Sequence, residues 1–131
     1  MRNRHAMKWL IVLALVVLIA AAQSADWIKL GTKTVRHSVD RDVILVGPKE
    51  GPFNAVKLKV RKAGLHIMDM KIHFMNGDVM DVEIRKFIPR DGETRVIDLP
   101  GKKRKIEKVV FWYKTPKKKA KAARIRLWAR Q

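Results

Sequence analysis

The chain of 131 residues carries 30 lysines and arginines against 12 aspartates and glutamates, for a formal net charge of +18, and it contains no cysteine. This length suits one domain that buries its own core. Without cysteine, the chain excludes disulfides, thiolate metal sites and thiol nucleophiles, and its charge favours anionic partners over cationic ones.

The N-terminal segment has the layout of a secretory signal peptide. Three basic residues precede an uncharged run, WLIVLALVVLIAAA over residues 9–22, whose last small residues suit cleavage before Gln23. The run is shorter than the roughly 20 apolar residues that a membrane-spanning helix needs. We therefore expect a signal helix at 1–22 and an exported domain at 23–131, periplasmic or extracellular, with a retained anchor in the inner membrane as the alternative.

Downstream of the signal, short apolar stretches separated by turn residues recur roughly every 8–12 residues, which is typical of a β-sandwich or barrel. The predicted strands span residues 27–30, 32–35, 42–46, 53–61, 65–74, 79–87, 94–99, 106–114 and 123–129, with Gly31 breaking the first pair. Asn76-Gly77 predicts a type I′ hairpin turn. We predict a single antiparallel β-sandwich, jelly-roll-like, of about eight or nine strands, with a closed barrel as the alternative.

The longest predicted strand, residues 65–74, carries two of the histidines. A strict alternation of faces puts Met68 on the core face together with Phe74. The same alternation sends His66 and His73 to opposite faces, because they are an odd number of residues apart. We therefore expect that these two histidines do not share a metal ion.

The stretch DRDVILVGPKEGPF, residues 40–53, combines carboxylates with two glycines. Gly47 and Gly51 are only four apart and no Gly-Lys-Ser/Thr follows, so a phosphate-binding P-loop is excluded. Asp40 and Asp42 supply too few of the 6–8 oxygens that calcium takes. The stretch is interpreted as structural, with both glycines turning the chain and both aspartates bonding backbone N–H groups in turns. Asn76 and Gly77 complete this set of structural turn residues.

Catalytic chemistry has no support in the sequence. Ser38 lies beside His37, but there is no Gly-x-Ser-x-Gly motif, and neighbours in sequence do not form a catalytic triad. Asp81 and Glu83 are expected on a solvated strand face beside Arg85, not across a groove from each other as in glycosidases. We predict no catalytic residue, no metal site and no cofactor, and a protein that is not an enzyme.

The positive charge is concentrated toward the C-terminus. Residues 102–131 hold 13 basic side chains and one acidic side chain, whereas residues 23–101 hold 14 and 11. The last strand presents arginines and a tryptophan on one face, and this combination suits phosphate binding and stacking. The candidate anion-binding residues are Lys117, Lys118, Lys119, Lys121, Arg124, Arg126, Trp128 and Arg130. The alternative is that these side chains cover apolar surface and keep the protein soluble.

Five segments carry a resemblance to a known family. The segments LGTKTV, DRDVILVG, GPFNAVKLKV, FMNGDVMDV and RVIDLPGKKRKIEKVVFWY resemble, in that order, a family of small secreted bacterial proteins of unknown function. The resemblance covers about residues 27–128. It implies a secreted all-β domain and implies no activity, and the KKKAK segment is not part of its motif.

Taken together, these features predict a non-enzymatic binding or structural module that is secreted or associated with the cell envelope. The predicted partners are an anionic lipid, a cell-surface polymer or an envelope protein. One alternative is a carbohydrate- or phosphate-directed enzyme on the same fold, for which a concave pocket with converging carboxylates would be evidence. The other is a nucleic-acid-binding protein, which export disfavours.

Overall fold

The computed structural model describes residues 26–36, 40–114 and 121–131. These residues form eight strands and no helix. The strands are β1 (Trp27–Thr34), β2 (Arg41–Leu45), β3 (Ala55–Arg61), β4 (Leu65–Phe74), β5 (Val79–Ile88), β6 (Ile97–Asp98), β7 (Ile106–Tyr113) and β8 (Arg124–Arg130). The predicted signal helix, His37, Ser38 and the lysines 117–119 lie outside the described residues. Among the described residues, no helix is long and apolar enough to cross a membrane.

The strands form two antiparallel sheets of four, with the orders β1-β8-β3-β6 and β2-β7-β4-β5. Only β4 and β5 are both consecutive in the chain and neighbours in a sheet, because every other connection passes from one sheet to the other. This order is that of an eight-stranded jelly roll. The predicted all-β sandwich is therefore confirmed.

The core lies between the two sheets and follows from the alternation of side chains along each strand. In β8, Ile125, Leu127 and Ala129 are fully buried while the residues between them are half-buried. Phe111 on β7 and Phe74 on β4 pack into the core from the other sheet. Each large apolar side chain buried in this way contributes about 1.5–3 kcal/mol to folding.

Strand β4 departs from the predicted alternation. The register of β4 against β7 shifts between Ile67 and Asp69, which makes Met68 a bulge residue. Leu65 and Ile67 face the core before the bulge and Phe74 faces it after the bulge. His66 and His73 consequently lie on the same, outer face, and the prediction of opposite faces is wrong. Their separation of seven residues still spans about 20 Å along a strand.

Strand β1 is continuous through Gly31, where a break was predicted. The register of β1 against β8 shifts between Lys29 and Gly31, so a bulge absorbs the irregularity. A Cβ atom at Gly31 would lie 2.6 Å from Cγ2 of Ile44 on β2. Glycine is therefore needed at this position because the two sheets approach each other closely there.

Strand β6 is shorter than the predicted 94–99. Ahead of it, the Thr94 N–H donates to the Leu58 carbonyl at 2.8 Å, and the Thr94 hydroxyl accepts from the Leu58 N–H at 3.0 Å. The hydroxyl also donates to the Arg95 carbonyl at 2.9 Å. The buried Thr94 side chain thus supplies the acceptor for the Leu58 N–H at the edge of β3.

Candidate functional site

The outer face of the sheet β1-β8-β3-β6 brings cationic and aromatic side chains of three strands into register. We call it the basic face. Its cations are Lys29 on β1, Lys57, Lys59 and Arg61 on β3, and Arg124, Arg126 and Arg130 on β8, and its aromatic residues are Trp27 and Trp128. Three carboxylates, Asp91, Glu93 and Asp98, lie at its β6 edge. Seven cations against three carboxylates leave a net charge of +4.

Four of these cations form a block on two adjacent strands. Arg126 pairs directly with Lys59 across the β8–β3 ladder, and Arg124 pairs directly with Arg61. Directly opposite residues have Cβ atoms about 4.5–5.5 Å apart, and like charges in that position destabilise a sheet. The block therefore costs folding free energy, unlike the apolar pairs on the inner face of the same strands.

The carboxylates at the β6 edge neutralise the β3 side of the block. Glu93 lies 3.4 Å from the Lys57 ammonium and 4.0 Å from that of Lys59, and Asp91 lies 3.1 Å from Arg61. Among the described residues, no carboxylate forms an ion pair with Arg124 or Arg126. The β8 side of the block therefore keeps its positive charge.

Arg130, at the other end of the basic face, makes several contacts with neighbouring side chains. Arg130 donates from Nε to the Asn54 side-chain oxygen at 2.8 Å, and its terminal nitrogen lies 3.6 Å from Asp98. Its guanidinium also lies 5.4 Å from the ring centre of Trp27. Arg130 thus has structural partners that Arg124 and Arg126 lack among the described residues.

The two tryptophans on the basic face carry ammonium groups over their rings. The Lys57 ammonium lies 4.2 Å from the ring centre of Trp27, and the Lys59 ammonium lies 4.4 Å from that of Trp128. Such cation–π contacts hold the lysines flat against the sheet. The rings and the lysines therefore restrain one another, and the charged groups on this face keep defined positions.

Three N–H donors on the basic face are buried and have no acceptor among the described residues. They are Nε of Arg61, Nε of Arg126 and Nε1 of Trp128. A buried donor without a partner costs about 1–3 kcal/mol. These unpaired donors therefore add to the free-energy cost of the basic face.

The tertiary structure does not gather the predicted basic segment 102–131 into one surface. Lys102 and Lys103 lie exposed in the β6–β7 connection, where the Lys105 carbonyl accepts from the Met75 N–H beside the β4–β5 turn. The β8 residues lie instead beside the cations of β3. Those β3 residues alternate visibly in the sequence, but they fall in a stretch whose overall charge is nearly balanced, so no charge count identifies them.

The predicted turn residues around β2 have two different roles. Asp40 precedes β2 and its carbonyl accepts from the Tyr113 N–H at 3.0 Å, while Gly47 and Gly51 follow β2 with positive φ. Asp42 lies inside β2, so the prediction of a turn role for it is wrong. Its carboxylate accepts from the Tyr113 hydroxyl at 2.9 Å, and burial together with this bond raises the pKa of Tyr113.

The Asn76-Gly77 connection is a longer turn than predicted. The Gly77 N–H donates to the Phe74 carbonyl at 3.0 Å, and Gly77 has a φ of +94° while Asn76 does not have a positive φ. This pattern is a three-residue loop with a glycine bulge, so the predicted type I′ turn is wrong. Hydrogen bonds from Asn76 and Arg104 lower the pKa of Asp78 beside the turn.

A second candidate lies on the outer face of the other sheet. Trp112 on β7, Asp69 and Lys71 on β4, and Asp81 and Glu83 on β5 line an open recess of about 360 Å³. The sequence predicted Asp81 and Glu83 on a solvated face, and both are exposed. Regular alternation places Asp69 on the outer face, but only the pairing of β4 with β7 places it opposite Trp112.

Comparison with known proteins identifies the family. The family model described as Domain of unknown function (DUF2541) matches residues 9–129. The chain belongs to the DUF2541 family. This confirms the predicted membership of an uncharacterised family. A search of curated proteins found no significant match to the DUF2541 chain.

A search of solved structures found several that are similar to this DUF2541 domain. AlgX of Pseudomonas aeruginosa matches with a TM-score of 0.53 and 11% identity over 80% of this chain, which spans 27% of the AlgX chain. YomS of the SPBc2 prophage matches with a TM-score of 0.40 and 10% identity, covering 82% of this chain and 94% of that one. A family 29 carbohydrate-binding module, described in complex with cellulohexaose, matches with a TM-score of 0.37 and 11% identity, covering 82% and 81%. The likeness to AlgX concerns the fold alone.

The described part of the DUF2541 chain contains no cluster of metal ligands. No group of three or more histidine, aspartate or glutamate side chains there is arranged to hold a metal ion. His66 and His73 share a face but lie at opposite ends of β4. Both candidate faces present charged and aromatic side chains.

Proposed function

We propose that this DUF2541 domain is a non-enzymatic module that binds an anionic polymer through its basic face. The observation that carries the proposal is the block of four cations, Lys59, Arg61, Arg124 and Arg126, set directly opposite one another on β3 and β8. A block of like charges destabilises the isolated sheet. An anion that bridges the strands reverses the sign of that interaction.

The chemistry of the face favours an extended anion over a compact one. Alternate residues along a strand are about 6.6 Å apart, so Arg124 and Arg126 form a row parallel to β8. Carboxylate or phosphate groups repeating along a chain can follow such a row. Guanidinium groups bind both kinds of anion through paired hydrogen bonds.

The proposal includes export by the signal segment at residues 1–22 and action at the cell envelope. Polymers that carry phosphate or carboxylate groups are the anions with the required repeating charge in that location. An anionic lipid surface presents the same groups in a plane, and the experiment below compares the two. Nucleic acid has suitable charge but is disfavoured as a partner by the proposed location.

Binding without catalysis is supported by the pairing of the carboxylates. Asp69 and Glu83 lie opposite each other across the β4–β5 ladder, which is the convergence that an enzyme would need. Arg85 pairs with both, at 3.7 Å and 3.5 Å. A glycosidase uses one carboxyl as a general acid and the other as a base or nucleophile, whereas both carboxylates here are ion-paired with the same arginine.

The test measures binding of residues 23–131 to long-chain inorganic polyphosphate across a salt series. The double variant Arg124→Gln and Arg126→Gln is compared with Lys102→Gln and Lys103→Gln, which removes the same charge at the β6–β7 connection. We expect the arginine variant to lose about tenfold or more in affinity near physiological salt, equivalent to two weakened charge-assisted contacts. Its salt dependence should also be shallower.

Equal losses in the two variants would contradict the proposal, because net charge rather than the basic face would then explain binding. Anionic vesicles mixed with neutral lipid serve as the second ligand in the same series. Binding to vesicles that exceeds binding to polyphosphate, with the same dependence on Arg124 and Arg126, would replace the polymer with a membrane surface as the partner. A complete loss of binding at physiological salt would make the charge a solubility feature.

A further inference from the structure

We propose that the recess around Trp112, on the sheet opposite the basic face, is a binding site for a neutral oligosaccharide. The site is independent of the anion-binding proposal, since it uses the outer face of the other sheet. Trp112 lies on the central strand β7, opposite Asp69 on β4 and opposite Arg41 on β2. The indole is therefore held between two strands at the middle of the sheet.

The recess has the volume of a small-molecule site. Its volume of about 360 Å³ lies within the roughly 300–1,000 Å³ that such sites occupy. Trp112 is partly exposed and projects outward from a central strand of the sheet. The Arg41 guanidinium lies 5.8 Å from the ring centre and restrains it from the β2 side. A rigid aromatic surface loses little conformational entropy when a ligand stacks on it.

The charges around the recess nearly balance. Asp69, Asp81 and Glu83 supply three negative charges, and Lys71 and Arg85 supply two positive ones. Lys71 lies 3.7 Å from Asp81, and Arg85 contacts both Asp69 and Glu83. A polyanion would be repelled by the three carboxylates, and a polycation would be repelled by Lys71 and Arg85. A neutral ligand experiences neither repulsion.

The hydrogen-bonding groups of the recess match a polyhydroxylated ligand. Each carboxylate accepts hydrogen bonds from two hydroxyls, and the Lys71 ammonium donates to hydroxyl or ring oxygens. The apolar C–H face of a pyranose ring stacks on an indole, which combines an apolar body with a polar edge. Charged acceptors arranged around an aromatic surface therefore select a ligand with hydroxyls at its rim and C–H groups on its face.

The experiment titrates residues 23–131 with cellohexaose, chitohexaose, mannohexaose and maltohexaose and follows binding by calorimetry. We expect at least one of these neutral sugars to bind with an affinity that changes little between low and high salt. Trp112→Ala should reduce that affinity about tenfold or more, the value of a lost stacking contact. Trp128→Ala on the basic face is the matched control and should leave it unchanged.

A second variant keeps the test decisive if Trp112→Ala does not fold. Asp69→Asn retains the size of the side chain and removes one charged acceptor, and it should weaken sugar binding while leaving polyphosphate binding intact. The proposal is overturned if none of the four sugars binds at millimolar concentration, or if binding is unaffected by both variants. Because the basic-face variant Arg124→Gln and Arg126→Gln should not change sugar binding, failure of one proposal leaves the other to be judged on its own data.

Discussion

If the cations of the basic face are positioned to bind a ligand, removing one of them should stabilise the domain in the absence of that ligand. Arg126 lies directly opposite Lys59, and such like-charged pairs cost roughly 0.2–1 kcal/mol. Its Nε is buried without an acceptor among the described residues, which costs about 1 kcal/mol more. Arg126→Gln removes both costs and loses about 0.8 kcal/mol through one fewer methylene in the packed stem.

The balance is a gain of about 0.5–1 kcal/mol in the free energy of unfolding. For a domain of this size, that gain raises Tm by roughly 2–8 °C. Urea unfolding, followed by tryptophan fluorescence, measures the gain at about 20 mM and about 1 M sodium chloride. At the higher salt the screening length falls to about 3 Å, so the part of the gain that comes from charge repulsion should largely disappear.

Lys102→Gln is the control because it removes the same charge from an exposed position in the β6–β7 connection. Its effect should be small and should reflect only the reduced net charge of the protein. If Arg126→Gln instead lowers the unfolding free energy at both salt concentrations, Arg126 is a packing residue of β8. The block would then no longer argue for a ligand.

Two further predictions concern hydrogen bonds that join distant parts of the chain. Thr94→Val keeps the side-chain shape but leaves the buried Leu58 N–H without its acceptor, so it should cost about 1–3 kcal/mol in urea unfolding. Thr94→Ser keeps the hydroxyl and should cost only about 0.8 kcal/mol for the lost methyl group; equal costs would show that packing alone matters there. Burial and the Asp42 carboxylate raise the folded-state pKa of Tyr113 above the ordinary value of 10.0. The stability that this raised pKa provides is therefore complete below pH 10, and it is lost as the pH rises through the folded-state pKa. Tyr113→Phe should therefore show a shallower loss of unfolding free energy above pH 10 than the native chain, and parallel alkaline curves would refute the assignment.

The candidate sites were only partly visible in the sequence. The alternation in β8 placed Arg124, Arg126, Trp128 and Arg130 on one face, because a strand next to a buried core must alternate. The cations of β3 were visible as the same kind of pattern. Nothing local shows that β3 and β8 are neighbours, since the partners Lys59 and Arg126 are 67 residues apart in the chain. Cross-strand partners over such distances are determined by the packing of the whole sandwich.

The Trp112 recess could not have been found by spacing. The alternation that puts Phe74 on the core face also puts Asp69 on the outer face. It does not show that Asp69 pairs with Trp112, because that contact depends on β7 lying beside β4 in the sheet. Asp81 and Glu83 were predicted to be solvated, and their exposure agrees, but the aromatic residue beside them comes from a strand more than 25 residues further along the chain.

The sequence by itself determined the fold class, the strand positions and the total charge, because apolar alternation and turn residues act within a few residues of each other. Only the tertiary structure decided which charges act together. It separated Lys102 and Lys103 from the arginines of β8 and brought Lys59 and Arg61 beside them. The physical reason is that a jelly roll pairs strands distant in the chain, so a surface is assembled from the register between strands and not from the order of residues.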